Sequence, residues 1–145
     1  MTLADFYVLA GQDTQDQMQF ACRLLEKAMA NNNNVLLYTD NEQQAQALDD
    51  LIWTFRPEAF IPHNLLGSNE AQNDCPISIG WQDDPGHHHD IIINLSKEIP
   101  TFYSRFQRYI GIVVQHDQVL QHTRKHFRFL SDRGYRINTH DMRVR

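Results

Sequence analysis

Val35-Leu36-Leu37-Tyr38-Thr39 is a nearly all-apolar run, and it constrains the fold more than any other segment. A strand of this kind is buried on both faces, as in a parallel sheet covered by helices. Its flanks agree. Before it, Thr14 stands three residues ahead of Gln17, a capping-box spacing, and Met18, Ala21, Cys22, Leu25 and Met29 recur at helical spacing. The asparagines Asn31 to Asn34 are poor helix formers that tolerate a left-handed cap, so the helix ends there. After the run, Asp40 with Gln43 repeats the cap pattern. Ala45, Leu48, Ile52 and Phe55 trace one helix face, closed by Pro57.

The same alternation holds elsewhere. Asp5 to Leu9 reads as a first strand ended by Gly11, and Ile77–Trp81 and Ile91–Leu95 read as two more around a polar tip from Gln82 to Asp90. Pro100 opens a short helix through Phe106, and Tyr109 to Val114 is a fifth strand. Asp117 caps a helix in which Val119, Leu120, Thr123, Phe127 and Leu130 share a face, and Gly134 stops it. Pro57 to Pro76, rich in Pro, Asn and Gly, reads as a long irregular connection. The expectation is a three-layer α/β fold with a largely parallel sheet, Rossmann-like. It forms one domain over 1–145, with 135–145 an extended, loosely held tail.

Charge divides the chain. Residues 1–121 hold 6 Lys+Arg against 16 Asp+Glu, a net −10, whereas residues 122–145 hold 7 against 2, a net +5. An acidic body repels a nucleic-acid backbone; a basic end attracts an acidic partner. A solvated helix face with a loose tail is the plainer alternative. No run approaches a membrane span, the N-terminus lacks a signal-peptide pattern, and Cys22 and Cys75 stand apart, which suits reduced thiols in the cytoplasm.

The loop Ala10-Gly11-Gln12-Asp13-Thr14 has neither Gly-x-Gly-x-x-Gly nor a P-loop, and Asp13 and Asp16 set negative charge where a phosphate would lie. No nucleotide or other cofactor is expected. His87-His88-His89 and the pair His122 and His126 invite a metal reading, but they sit on different elements and nothing supplies a further ligand. A small metal-dependent or nucleotide-handling enzyme is therefore the rival hypothesis. Direct single-stranded DNA binding through the basic end and Phe129 is a third, opposed by the acidic body. Ser78, Ser96 and Ser104 lie in no nucleophile-elbow pattern, and Cys22 falls on an apolar helix face.

Two constellations remain. In the first, Trp53 ends a helix and Phe60-Ile61-Pro62 follows in a loop; prolines on both sides of Phe60 suit a presented anchor residue. In the second, Leu120, Thr123 and Phe127 fall in one apolar sector, with Arg124 and Arg128 one turn apart on its border. An apolar slot edged by two guanidinium groups suits an acidic peptide whose free carboxylate ends beside an apolar side chain.

At these residues the sequence resembles the chi-subunit family of the bacterial DNA polymerase III clamp-loader complex. The likeness starts at Phe6–Leu9 and is clearest in Leu51-Ile52-Trp53, Arg56-Pro57 and Phe60-Ile61-Pro62-His63-Asn64-Leu65. It continues through Asp90–Leu95, Phe106–Val114, Arg124, Arg128 and Gly134-Tyr135. The resemblance implies a non-catalytic accessory protein of DNA replication with a mononucleotide-binding type of fold. It implies two partners: the psi subunit, where the organism has one, and the acidic C-terminal tail of single-stranded DNA-binding protein. Carried over by position, Trp53, Val113, Arg124, Phe127 and Arg128 form the tail-binding surface and Phe60 faces psi. Where the family often has a further basic group beyond the second arginine, this chain has Ser131.

Overall fold

Several of the helix ends lie where a local hydrogen bond satisfies a freed backbone group. The computed structural model describes residues 2–55, 61–66, 75–83 and 86–143. Strand β1 (Leu3–Val8) leads to α1 (Thr14–Ala30), whose capping box is built one residue earlier than expected, by Asp13 and Asp16. Asn32 closes α1 in the left-handed region at φ 60°. Asn33 N donates to Ala28 O at 2.9 Å and Asn32 N to Met29 O at 3.0 Å, the paired bonds of a Schellman motif. Strand β2 (Val35–Tyr38) then precedes α2 (Glu42–Phe55), capped by Asn41 Oδ1 accepting from Gln44 N at 2.8 Å.

The later elements are β3 (His63–Leu65), β4 (Ile77–Gly80), β5 (Ile91–Asn94), a 3-10 turn at Tyr103–Arg105 and β6 (Arg108–Val113). Helix α3 (Asp117–Asp132) has His116 at its N-cap and ends in a second Schellman motif. There Gly134 takes φ 81°, Tyr135 N donates to Leu130 O at 3.1 Å and Gly134 N to Ser131 O at 3.0 Å. Strand β7 (Ile137–Asp141) follows.

Among the described residues one seven-stranded sheet runs β3-β4-β2-β5-β6-β1-β7, and every pairing is parallel. Side chains alternate between its faces. Val35, Leu37, Ile91, Ile93, Ile110 and Ile112 pack against Ala21, Leu25, Leu48 and Ile52 of α1 and α2. Ala4, Phe6, Leu36, Ile92, Tyr109 and Val113 face the other way, against Leu130 of α3 and the rings of Tyr103 and Phe106. This is the three-layer Rossmann-like arrangement expected of a fully buried β2. Gly111 leaves room for its β1 neighbour: a Cβ there would lie 2.8 Å from the Phe6 ring.

Two strands were not foreseen. β3 lies inside the stretch read as irregular, because His63 and Asn64 are polar yet buried, and only tertiary partners make that tolerable. Ser78 Oγ donates to Asn64 Oδ1 at 2.8 Å, and His63 Nδ1 lies 2.7 Å from Ile61 O. β7 forms within the expected loose tail. It pairs with β1, Ile137 packs into the α3-side core, and His140 stacks on Tyr7 at 4.5 Å with Nε2 2.9 Å from Asp5 Oδ1. No described helix is long and apolar enough to cross a membrane.

Candidate functional site

Helix α3 is amphipathic, yet Leu130 is its only fully buried residue. Thr123 and Phe129 are half-buried, and Phe127 remains 42% exposed while its ring touches that of Phe6 at 5.8 Å. The apolar stripe therefore extends beyond what the core covers. Arg124, Phe127 and Arg128 line one open depression of about 540 Å³ together with Thr123, Ser131 and Asp132. A second, bounded by Gln121 and Lys125, lies on the far side of the same two arginines. Both guanidinium groups are exposed and neither forms an ion pair with a described carboxylate. Helical spacing places them one turn apart, so both can reach a single carboxylate or successive acids of a bound peptide.

The structure separates two residues from this group. Val113 is on the correct face, but it is only 4% exposed, buried in the layer beneath α3. Trp53 is on the opposite side of the sheet. It is 49% exposed in the last turn of α2, with its ring 4.5 Å from that of His63 on edge strand β3. Below it, Asp49 Oδ1 lies 2.9 Å from His63 Nε2, and the His63 side chain is wholly buried. Trp53 and the pair Arg124 and Arg128, expected on one surface, therefore stand on helices that cover opposite faces of the sheet. α2 belongs to the connection from β2 to β3 and α3 to that from β6 to β7, and these run over opposite faces. Phe60 lies outside the described residues.

The histidines do not converge either. His88 stands before β5 with Nε2 3.3 Å from Ser78 Oγ, and burial lowers its pKa from the ordinary value. His122 and His126 lie beyond the other end of β5, where His126 Nε2 is 2.9 Å from Lys97 O and burial again lowers the imidazole pKa. Among the described residues no three such side chains gather to hold a metal ion.

One feature escaped the sequence reading. A crevice of about 130 Å³ opens at the carboxyl ends of the strands, lined by Gln17, Asn94, Lys97, His116, His122 and His126. Doubly wound folds take their ligands at this position. Here the protein's own groups use much of the hydrogen-bonding capacity: Gln17 Nε2 donates to Ile112 O at 2.8 Å and Asn94 Nδ2 to Tyr109 OH at 2.9 Å. These residues come from three segments far apart in sequence, so no local motif announces them.

The family model described as DNA polymerase III chi subunit, HolC, matches residues 1–138. The chain is 40% identical over 140 residues to DNA polymerase III subunit chi of Pseudomonas aeruginosa, covering 97% of this chain and 96% of that one. It is 31% identical to the Haemophilus influenzae protein of the same name, covering 96% of each chain. With the Escherichia coli protein the identity is 28%, covering 96% of this chain and 97% of that one. The family match spans β1 through α3, so this chain belongs to the DNA polymerase III chi subunit family, replication accessory subunits of the polymerase complex.

Proposed function

We propose that this chain acts without catalysis, holding the acidic C-terminal tail of single-stranded DNA-binding protein at Arg124, Phe127 and Arg128 and joining the clamp loader through psi. The observation that carries the reading is the exposed Phe127 ring sharing one depression with two guanidinium groups that have no acidic partner among the described residues. A terminal apolar side chain would cover the ring while its carboxylate and neighbouring acids meet the arginines. Cys22 is a packed thiol and not a ready nucleophile: its pKa is pushed up to about 12 by burial, with the Glu26 carboxylate adding to it. Trp53 is left out of this pocket. It stands at the end of α2 that leads toward Phe60, and we assign it with Phe60 to the surface facing psi.

The contact is small, so an affinity near micromolar, roughly −8 kcal/mol, is expected. Fluorescence anisotropy with a synthetic acidic tail peptide tests it. Arg124→Ala and Arg128→Ala should each weaken binding by about tenfold, or 1.4 kcal/mol, and added salt should weaken it further. Wild-type affinity in both variants would remove the pocket. For the second partner, Trp53→Ala should diminish capture of psi and leave peptide affinity unchanged.

A further inference from the structure

The final strand presents a backbone edge that is unpaired among the described residues and has a defined register. Ala4 N donates to Arg136 O at 3.1 Å and Met142 N donates to Val8 O at 2.8 Å. Ala4 stands opposite Ile137, Phe6 opposite Thr139 and Val8 opposite Asp141. In a parallel ladder bonded this way, the even-numbered groups of β7 turn toward β1, and those of Ile137, Thr139 and Asp141 turn outward. β7 is the terminal strand, and among the described residues no strand pairs with its outer side.

Such an edge templates another strand unless proline, lysine or a bulge blunts it. Ile137-Asn138-Thr139-His140-Asp141 carries none of these, and Asn138 and Thr139 are exposed. The opposite edge differs: β3 has only 3 residues, of which His63 and Asn64 are buried. β7 is also held in place from both faces, by Ile137 in the α3-side core and by His140 against Tyr7 and Asp5. A rigid edge loses little freedom when a partner binds.

Charge selects the occupant. Arg133 and Arg136 precede the strand and are exposed, and Arg143 follows it. The carboxylate of Asp141 is already taken, with Arg143 Nε and one terminal nitrogen each at 2.9 Å. A second copy of the chain would bring the same arginines alongside, and so complements this edge less well than an acidic strand does. A phosphodiester strand has no amides and carbonyls to enter the ladder. We propose that the outer edge of β7 receives an extended acidic peptide as an added parallel or antiparallel strand. The outward groups of Ile137, Thr139 and Asp141 form the ladder, and Arg136 meets the peptide's acids. This surface is distinct from the Arg124–Phe127–Arg128 depression and does not depend on it.

The probe is a fluorescein-labelled peptide of alternating aspartate and valine, added to the full chain. Amide exchange followed by NMR should slow by about tenfold at Ile137, Thr139 and Asp141, and stay as it was at Asn138 and His140, whose amides already face β1. Thr139→Pro removes one outward amide and no bond to β1, a position where an edge strand tolerates proline. It should weaken anisotropy-detected binding by about tenfold with the thermal midpoint preserved. Arg136→Gln should weaken binding and flatten its salt dependence. Unchanged exchange at the three outward amides under saturating peptide overturns the proposal, whatever the variants do. Peptide affinity lost in Arg124→Ala but intact in Thr139→Pro would also overturn it, while leaving the tail pocket standing. Equal protection by single-stranded DNA, or peptide-independent dimerisation in sedimentation, would overturn the assignment of the occupant.

Discussion

The two sides of the sheet are covered by helices of similar length and opposite thrift. On one side α1 buries Gln17, Ala21, Cys22, Leu25 and Ala28, and α2 buries Ala45, Leu48 and Ile52. On the other, α3 spans 16 residues and buries Leu130 alone, leaving Phe127 exposed among Arg124, Lys125 and Arg128. The first pair of helices spends its apolar face on folding. The third keeps part of its face uncovered, as the proposed peptide-binding role requires. The lesson is that amphipathicity alone does not mark a helix as packed.

The contrast can be broken most directly through stability. Leu48→Ala, which opens a cavity under α2, should cost about 2–5 kcal/mol in urea unfolding. Asp5→Ala tests the attachment of β7. It removes a carboxylate that is 5% exposed and held by His140 Nε2 and Arg108 Nε at 2.9 and 3.1 Å. Both partners are exposed enough to rehydrate, so the loss should be about 1–3 kcal/mol, with faster amide exchange in β7. Phe127→Ala should cost about 1 kcal/mol or less, since the ring is already partly in water, yet reduce peptide binding. A penalty matching Leu48→Ala would show that α3 is packed as tightly as α2.

The smallest expected effect concerns pH. Burial lowers the His126 and His88 pKa values below their ordinary 6.5, so the folded state favours the neutral rings. As pH falls below 6.5, the unfolded chain takes up these protons first. Stability is therefore complete above that value and declines as pH drops toward the folded-state pKa values. His126→Gln should flatten the decline measured by urea unfolding between pH 7 and 5 (about 1 kcal/mol or less). An unchanged slope would mean that the ring is as well solvated as in the unfolded chain.

Much of the fold was legible because its signals are local. The unbroken apolar run of β2, the helical spacing from Met18 to Met29, and the asparagine and glycine at the two Schellman ends each act within a few residues. β3 and β7 were not legible. His63-Asn64-Leu65 and Ile137-Asn138-Thr139-His140-Asp141 lack an apolar pattern, and their strand character comes from Ser78, Asp49, Tyr7 and Asp5 across the fold. In the candidate site, Arg124, Phe127 and Arg128 were legible as neighbours because helical spacing alone relates them. Trp53 was not, because its relation to them depends on which side of the sheet α2 crosses.

Residue order by itself determined the alternation of strand and helix in β1-α1-β2-α2 and β6-α3, the C-terminal ends of α1 and α3, and the reversal of charge after residue 121. Tertiary structure alone decided which helix covers which face. The step from β1 to β2 runs toward the β3 edge and that from β6 to β7 runs the other way, so two crossovers of the same hand put α1 and α3 on opposite faces. Strand order is a property of the whole chain, whereas side-chain periodicity is set within a single turn or pleat, and periodicity cannot encode it.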